Sequence, residues 1–366
     1  MTSDLLYSDV EEQLRASVRG LLADRCDAAA VLARCESDEP YDLPLWRALA
    51  AEVGVAGLHV PEDRGGQGAS MREIAVVAEE IGRGVAPVPF LGCAVLAASA
   101  LLDTDAPELA KLAAGEITGT LAVPLTTAPG APFPTDILAD GSTVTGRSYA
   151  VVDAEVADVL VVPAVGPDGP ELYCVDTAAA GVTVSRRVSL DLTRRVADVS
   201  FADAPARPAA DGERARAALE RALRIGAGVL ASEQLGLAQW CLDETVRYVR
   251  ERHQFGRPVG SFQALKHRLA ALWLDVVSAR AAARNAADVL AAGGDDAPVA
   301  VAVAQSYCSS VAVRAAEECV QLHGGIGMTW EHPAHLYLKR AKSSELALGT
   351  PGRHRATLAT LIDLPA

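Results

Sequence analysis

The chain lacks several features that would fix its chemistry at once. It has no basic excess: 33 Lys and Arg stand against 47 Asp and Glu, a formal charge of −14 at pH 7. A nucleic-acid partner, whose phosphates need a basic face, is therefore not expected. No run of about 18 apolar residues appears, and Met1 to Val10 carries no basic stretch leading into an apolar core. The expectation is a soluble, cytoplasmic protein with no membrane partner. The seven cysteines (Cys26, Cys35, Cys93, Cys174, Cys241, Cys308 and Cys319) are odd in number, scattered, and contain no C-x-x-C. They read as reduced core thiols, not as disulfides or zinc ligands. His323, His332 and His335 come without an H-E-x-x-H spacing, so no metal site is assigned. Neither a strand-then-helix G-x-G-x-x-G nor a G-K-[ST] is present. By its chemistry alone, the glycine-rich stretch Gly57 to Ser70 is a tight turn between helices.

At 366 residues, half of them hydrophobic and many of those alanine, the chain can fill two or three domains with largely helical cores. Residues 4 to 35 read as one helix, because Leu5, Leu6, Val10, Leu14, Val18, Leu21 and Leu22 fall mostly three to four apart. Leu43 to Val53, Met71 to Arg83, Val95 to Leu102 and Pro107 to Ala114 continue the helical block. Near Gly119 the pattern changes. Thr120–Leu125, Thr143–Asp153, Val159–Pro163, Leu172–Val175, Val182–Arg187 and Val196–Phe201 are short Val/Thr-rich runs divided by Gly, Pro and Asp, the pattern of a small antiparallel sheet. Pro205 to Gly212 reads as a linker. Helices then span about Glu213–Arg252, Ser261–Ala292, Val299–Leu322, Pro333–Leu348 and Arg353–Leu364. The expected fold class is α+β and mostly helical: an N-terminal helical domain (1–118), a middle antiparallel β domain (119–208) and a C-terminal four- or five-helix bundle (209–366).

One stretch organises the rest: Arg247 to His267, RYVRERHQFGRPVGSFQALKH. A long helix breaks at Phe255-Gly256-Arg257-Pro258 and a second begins near Ser261. Gly256 is free to take positive φ, and Pro258 stops the first helix from continuing. Arg252 suits either a phosphate, gripped through its fork, or the carbonyls at its own helix end. Phe255 and Phe262 suit either a planar ligand or simple packing.

The stretch resembles the R-x-x-F-G turn, followed by F-Q or H-Q, of the acyl-CoA dehydrogenase family. A second segment, Gln321-Leu322-His323-Gly324-Gly325-Ile326-Gly327, resembles that family's Q-x-x-G-G-x-G. The two stand in the family's order and at about its spacing, and the likeness extends over nearly the whole chain. Val60-Pro61-Glu62 to Gly68 is similar to the family's V-P-E-x-x-G-G-x-G loop. The resemblance implies the three-part architecture, an acyl-CoA substrate, FAD as cofactor and an electron-transfer flavoprotein as acceptor. It also implies that both motifs are lent to a flavin held largely by a neighbouring subunit. Arg252 would then pair with pyrophosphate oxygens, Gln254 and Phe255 would line the adenosine-diphosphate channel, and Val259 and Phe262 would pack on adenine. Gln321 with the Gly324 and Gly325 amides would complete the grip.

The residues this chain would use for itself are missing. The family's catalytic Glu occupies one of two places, and here those places hold Leu348, before Gly349-Thr350, and Gly226, ten residues before Gly236. Neither takes a proton. Glu233, two turns from Gly226 on the same helix and so on a similar face, is a candidate carboxylate, either a displaced base or a paired interface group. In the β domain, Ala150 stands at the family's tryptophan position and Val152 at the threonine that would bond flavin N5. The resemblance is thus to a subunit without the catalytic Glu in actinobacterial α2β2 acyl-CoA dehydrogenases acting on steroid side-chain thioesters, whose homologous partner supplies the base. Two other readings remain: a self-sufficient homotetrameric dehydrogenase or flavin oxidase, and a flavin-free scaffold. Gly226 and Gly228 leave room for a bulky substrate or for close helix packing.

Overall fold

A computed structural model describes residues 5–364. The N-terminal block comprises α1 (Asp9–Arg25), α2 (Ala28–Glu36), α3 (Leu43–Val53) and α4 (Met71–Gly84), then a π-helical turn, Phe90–Ala97, running into α5 (Ala98–Leu101), and α6 (Glu108–Ala113). The single helix expected over 4–35 is two. Asp27 caps α2 by accepting the Ala30 N–H at 2.8 Å, and this side-chain cap outweighs the continuous apolar spacing. Leu5 and Leu6 lie outside the helix, and residue 4 lies outside the described residues.

The β domain holds β1 (Gly119–Leu121), β2 (Ile137–Ala139), β3 (Thr143–Val152), β4 (Val159–Gly166), β5 (Gly169–Asp176), β6 (Val182–Arg186), β7 (Val196–Pro205) and β8 (Arg207–Asp211). They form one sheet in the order β6-β7-β3-β2-β4-β5-β8, with β1 also on β4. The sheet is mixed, not purely antiparallel, because β1 and β2 both pair with β4 in parallel. The stretch read as a linker contains β8, whose Pro208 is tolerated because the strand lies at the sheet's edge against β5. Val144, Val151, Leu160, Val162 and Phe201 give this domain its own core.

The bundle comprises α7 (Gly212–Glu251), a two-stranded hairpin of β9 (His253–Gln254) and β10 (Arg257–Pro258), α8 (Gln263–Ala292), α9 (Ala297–His323), α10 (Ala334–Leu346) and α11 (Pro351–Leu361). The stretch from Ala297 to Met328 is long and apolar enough to cross a membrane by length and composition, yet 67% of its most apolar window is buried inside the protein, as in a core helix. Helix α7 carries the architecture. A Cβ on Gly236 would lie 1.8 Å from the Glu79 carbonyl oxygen, and one on Gly82 would lie 2.0 Å from that of Glu233, so α4 and α7 cross backbone to backbone.

Candidate functional site

The break between α7 and α8 is a tight hairpin. Phe255 and Gly256 have φ of 54° and 74°, and Arg257 pairs with Gln254 across the two-residue loop, the arrangement of a type I′ turn. Gly256 adopts this conformation readily, whereas Phe255 does so against the steric preference of its Cβ. The Val259 N–H donates to the Arg252 carbonyl at 2.8 Å and closes the turn.

The hairpin brings the two motifs together. A surface groove of about 680 Å³ is lined by Arg252, Gln254 and Val259 from the first motif and by Gln321, Gly324 and Gly325 from the second. Tyr248, Leu265, Arg268, His323 and Ile326 also line it, and sequence reasoning assigned none of them to the site. Tyr248 could have been found, since it precedes Arg252 by one helical turn. Phe255 and Phe262 stand outside the groove. Phe255 is 90% exposed and meets Phe262 edge to face at 6.1 Å, while the Arg257 guanidinium lies 3.9 Å above the Phe262 ring.

Arg252 is the C-cap of α7, one residue past the helix, and its backbone N–H donates to the Tyr248 carbonyl. Among the described residues its guanidinium has no hydrogen bond or ion pair, although it is exposed at the groove. Helix capping therefore does not explain it. Gly324, the C-cap of α9, has φ of 64° and ψ of −138°, a backbone conformation that favours glycine but is not the left-handed helical cap, and Gly325 has neither positive φ nor any atom within 4 Å of a Cβ built on it. A free fork and an uncovered backbone fit an anionic diphosphate approaching from outside the chain.

The two places for a catalytic carboxylate meet deep in the molecule, at the junction of α7, the π-helical turn and the segment after α10. A Cβ on Gly226 would lie 2.6 Å from Leu96 Cδ2 and 3.0 Å from Leu348 Cδ1. Leu348 is fully buried with φ of 54°. Its N–H donates to the Leu125 carbonyl at 2.7 Å, and the Leu125 N–H donates to the Ala150 carbonyl at 3.0 Å, lacing the strand edge to the base position. Ala150, with φ of 50°, sits in a bulge of β3, and Val152 packs in the core. Gly228 likewise packs closely, with Leu290 Cδ1 2.4 Å from a built Cβ, so the room for a bulky substrate suggested by the small residues is filled by leucines.

Glu233 is a paired carboxylate, not a free one. It is 3% exposed and bonded to both Arg194 and Arg340, the latter at 3.1 Å. Burial pushes its carboxyl up, but the two guanidinium groups prevail and hold it below the usual range. Its partners join three parts of the fold: Arg340 of α10 also pairs with Asp191 at 3.0 Å and donates to the Thr193 hydroxyl at 2.9 Å. The pairing is thus internal to the chain, not an interface contact.

Glu244, His323 and His332 place one donor atom each within 4.8 Å of one another. Their hydrogen bonds suit a polar network better than a metal. The Ala334 N–H donates to His332 Nδ1 at 3.2 Å, which leaves the proton on Nε2 facing Glu244 at 3.4 Å. Arg247 already takes both Glu244 oxygens. His335 lies apart, against the Trp330 ring.

Models of the N-terminal and C-terminal domains of acyl-CoA dehydrogenases match residues 8–111 and 215–362. The acyl-CoA dehydrogenase IpdE2 of Mycolicibacterium smegmatis is 36% identical over 345 residues, covering 94% of this chain and 96% of the relative. The chain belongs to the acyl-CoA dehydrogenase family. Among solved structures, a variant of the Tcur3481–Tcur3483 steroid ACAD superposes with a TM-score of 0.86 at 30% identity, covering 97% of this chain and 98% of the other. The ChsE4–ChsE5 complex of Mycobacterium tuberculosis gives 0.87 at 28%, covering all of both chains.

Proposed function

We propose that this acyl-CoA dehydrogenase chain is the half-site subunit of a hetero-oligomer that desaturates an acyl-CoA thioester between its α and β carbons. One contrast carries the reading: the groove that would grip a cofactor's diphosphate is open, with the Arg252 guanidinium unpaired among the described residues, while both base positions are closed by leucine. Arg252 would hold pyrophosphate oxygens, Gln254, Val259 and Gln321 would line the adenosine half, and the Gly324–Gly325 backbone would allow close approach. FAD, when bound, supplies the hydride acceptor. Abstraction of the α-proton needs a carboxylate at hydrogen-bond reach, and here Leu348 and Gly226 offer none. That group would come from a homologous partner. The two-chain complexes among the similar structures support an α2β2 arrangement, and the Tcur3481–Tcur3483 steroid ACAD among them supports a steroid-type or otherwise bulky acyl group. Electron-transfer flavoprotein remains the acceptor implied by the family.

The test is flavin absorbance of the purified chain, alone and after co-expression with a glutamate-bearing family member encoded beside it. A colourless chain and a complex with one FAD per heterodimer is the expected result. A stoichiometrically yellow chain would instead support the self-sufficient homotetramer, and a complex without flavin the scaffold.

A further inference from the structure

At the inner side of the groove three rings meet at a tilt of 30–38°. His323 lies between Tyr248, with ring centroids 4.3 Å apart, and His332, at 4.1 Å. The His323 side chain is fully buried, and its Nδ1 lies 2.6 Å from the Cys319 carbonyl, so Nδ1 carries the proton and donates it there. The neutral ring therefore turns the lone pair of Nε2 inward, where it has no hydrogen-bond partner. What faces it is the Glu244 carboxylate, 3.9 Å away. A lone pair and a carboxylate at that separation repel, whereas a proton on Nε2 converts the contact into an ion pair.

We propose that His323 is a positioning residue whose protonated imidazole makes the inner wall of the groove cationic and so favours a bound diphosphate; this rests on the reading of the groove as the FAD pyrophosphate site. The surrounding charges allow it. From α7 the ring meets Glu244 and Tyr248; from its own helix it meets Cys319, whose sulfur is 3.7 Å from Nδ1 and which in turn interacts with Cys241 of α7; and His332 meets it from the segment before α10. Arg247 shares Glu244, and Arg252 and Arg268 stand at the groove. Burial opposes the imidazolium, but the contacts to Cys319 and the Glu244 carboxylate outweigh it and raise its proton affinity above the ordinary 6.5. A raised value means that the cationic wall is complete below about pH 6.5 and is lost as pH rises through the folded value. By linkage, a bound diphosphate that raises the proton affinity further binds more weakly as pH rises through that range.

The experiment is the FAD dissociation constant of the co-purified complex, read from flavin fluorescence released on dilution, between about pH 6 and pH 9, where neither the pyrophosphate nor arginine titrates. Wild type should lose affinity over that range, and His323→Gln should be flat at the weaker level. A flat wild-type profile, or a slope that persists in His323→Gln, overturns the proposal. Should His323→Gln not fold, Glu244→Gln gives the same decision: without the carboxylate the slope moves to lower pH, and an unmoved slope overturns the proposal. Arg252→Ala separates the two levels of inference. If it leaves affinity unchanged at every pH, the groove itself is misassigned; if it weakens binding while the wild-type pH slope is absent, only the role of His323 fails.

Discussion

Arg252→Ala is the sharpest perturbation of the groove, because the residue contributes nothing visible to the chain's own fold. Its guanidinium is exposed and has no hydrogen bond or ion pair among the described residues, so truncation leaves no buried partner stranded. Folding stability should therefore change by no more than about 0.5 kcal/mol. If the fork holds a diphosphate oxygen, the loss is one charge-assisted hydrogen bond, about 1.5 to 3 kcal/mol. That corresponds to roughly 10- to 150-fold weaker FAD binding in the complex. Arg252→Lys keeps the charge and loses the fork, so it should fall between the two. The assay is flavin released on dilution of the complex, with a thermal melt of each variant as a control. Unchanged flavin affinity would refute the reasoning, and so would a lowered melting temperature large enough to explain the flavin loss by unfolding.

Glu233→Gln should destabilise the chain by about 3–5 kcal/mol, because Arg194 and Arg340 are left buried against a neutral amide; a melt with unchanged midpoint but lost turnover would restore Glu233 as a base. The folded carboxyl is held below its ordinary 4.5, so its contribution is complete above that pH and disappears as pH falls through the folded value. The stability gap between wild type and Glu233→Gln should accordingly close on acidification. Gly236→Ala should cost about 1–3 kcal/mol or more by forcing α4 from α7, since its Cβ would meet the Glu79 carbonyl at 1.8 Å, whereas Gly294→Ala, with open space around it, should change stability little. Phe255→Asn should raise thermal stability by about 1 kcal/mol, because asparagine tolerates the positive φ that phenylalanine resists, and a loss would show that the Phe255–Phe262 contact outweighs that strain.

Long elements were legible because their signals are redundant. Helix α7 has no proline over its length and repeats its apolar spacing many times, and its observed span, Gly212–Glu251, departs from the expected one by a single residue at each end. Short elements depend on one contact each. β8 exists because Arg207 to Asp211 meets β5, and nothing in a Pro-containing pentapeptide announces that partner. The cap at Asp27 was visible only as one acidic residue in an apolar rhythm. At the site, the sequence located Arg252 and Gln321 as members of two motifs, and their common groove follows from the α7–α8 hairpin and the end of α9. Arg268 and His323 could not be placed in the same way, because their relation to the groove depends on helix rotation and on the direction of a ring nitrogen. Glu233 was half legible for the same reason: its helical face was readable as that of a paired carboxylate, but its two arginine partners lie 39 and 107 positions away in the chain.

The contrast between the open groove and the closed base site has a physical consequence for how such a chain could persist. The groove residues cluster at the exposed end of α7, α8 and α9, and few of them touch the core, so retaining them constrains stability little. The base site lies where the π-helical turn, α7 and Leu348 pack together, and an ionised glutamate there would have to be desolvated without the arginines that stabilise Glu233. A leucine at that place carries no such desolvation cost and fills the volume, so it is the more stable occupant of the site. Leu348→Glu should therefore destabilise the chain by several kcal/mol, as an unpaired buried charge does, and should confer no turnover on the chain alone. A Leu348→Glu variant that folds normally and oxidises an acyl-CoA without a partner would show that the site is closed only by its side chains.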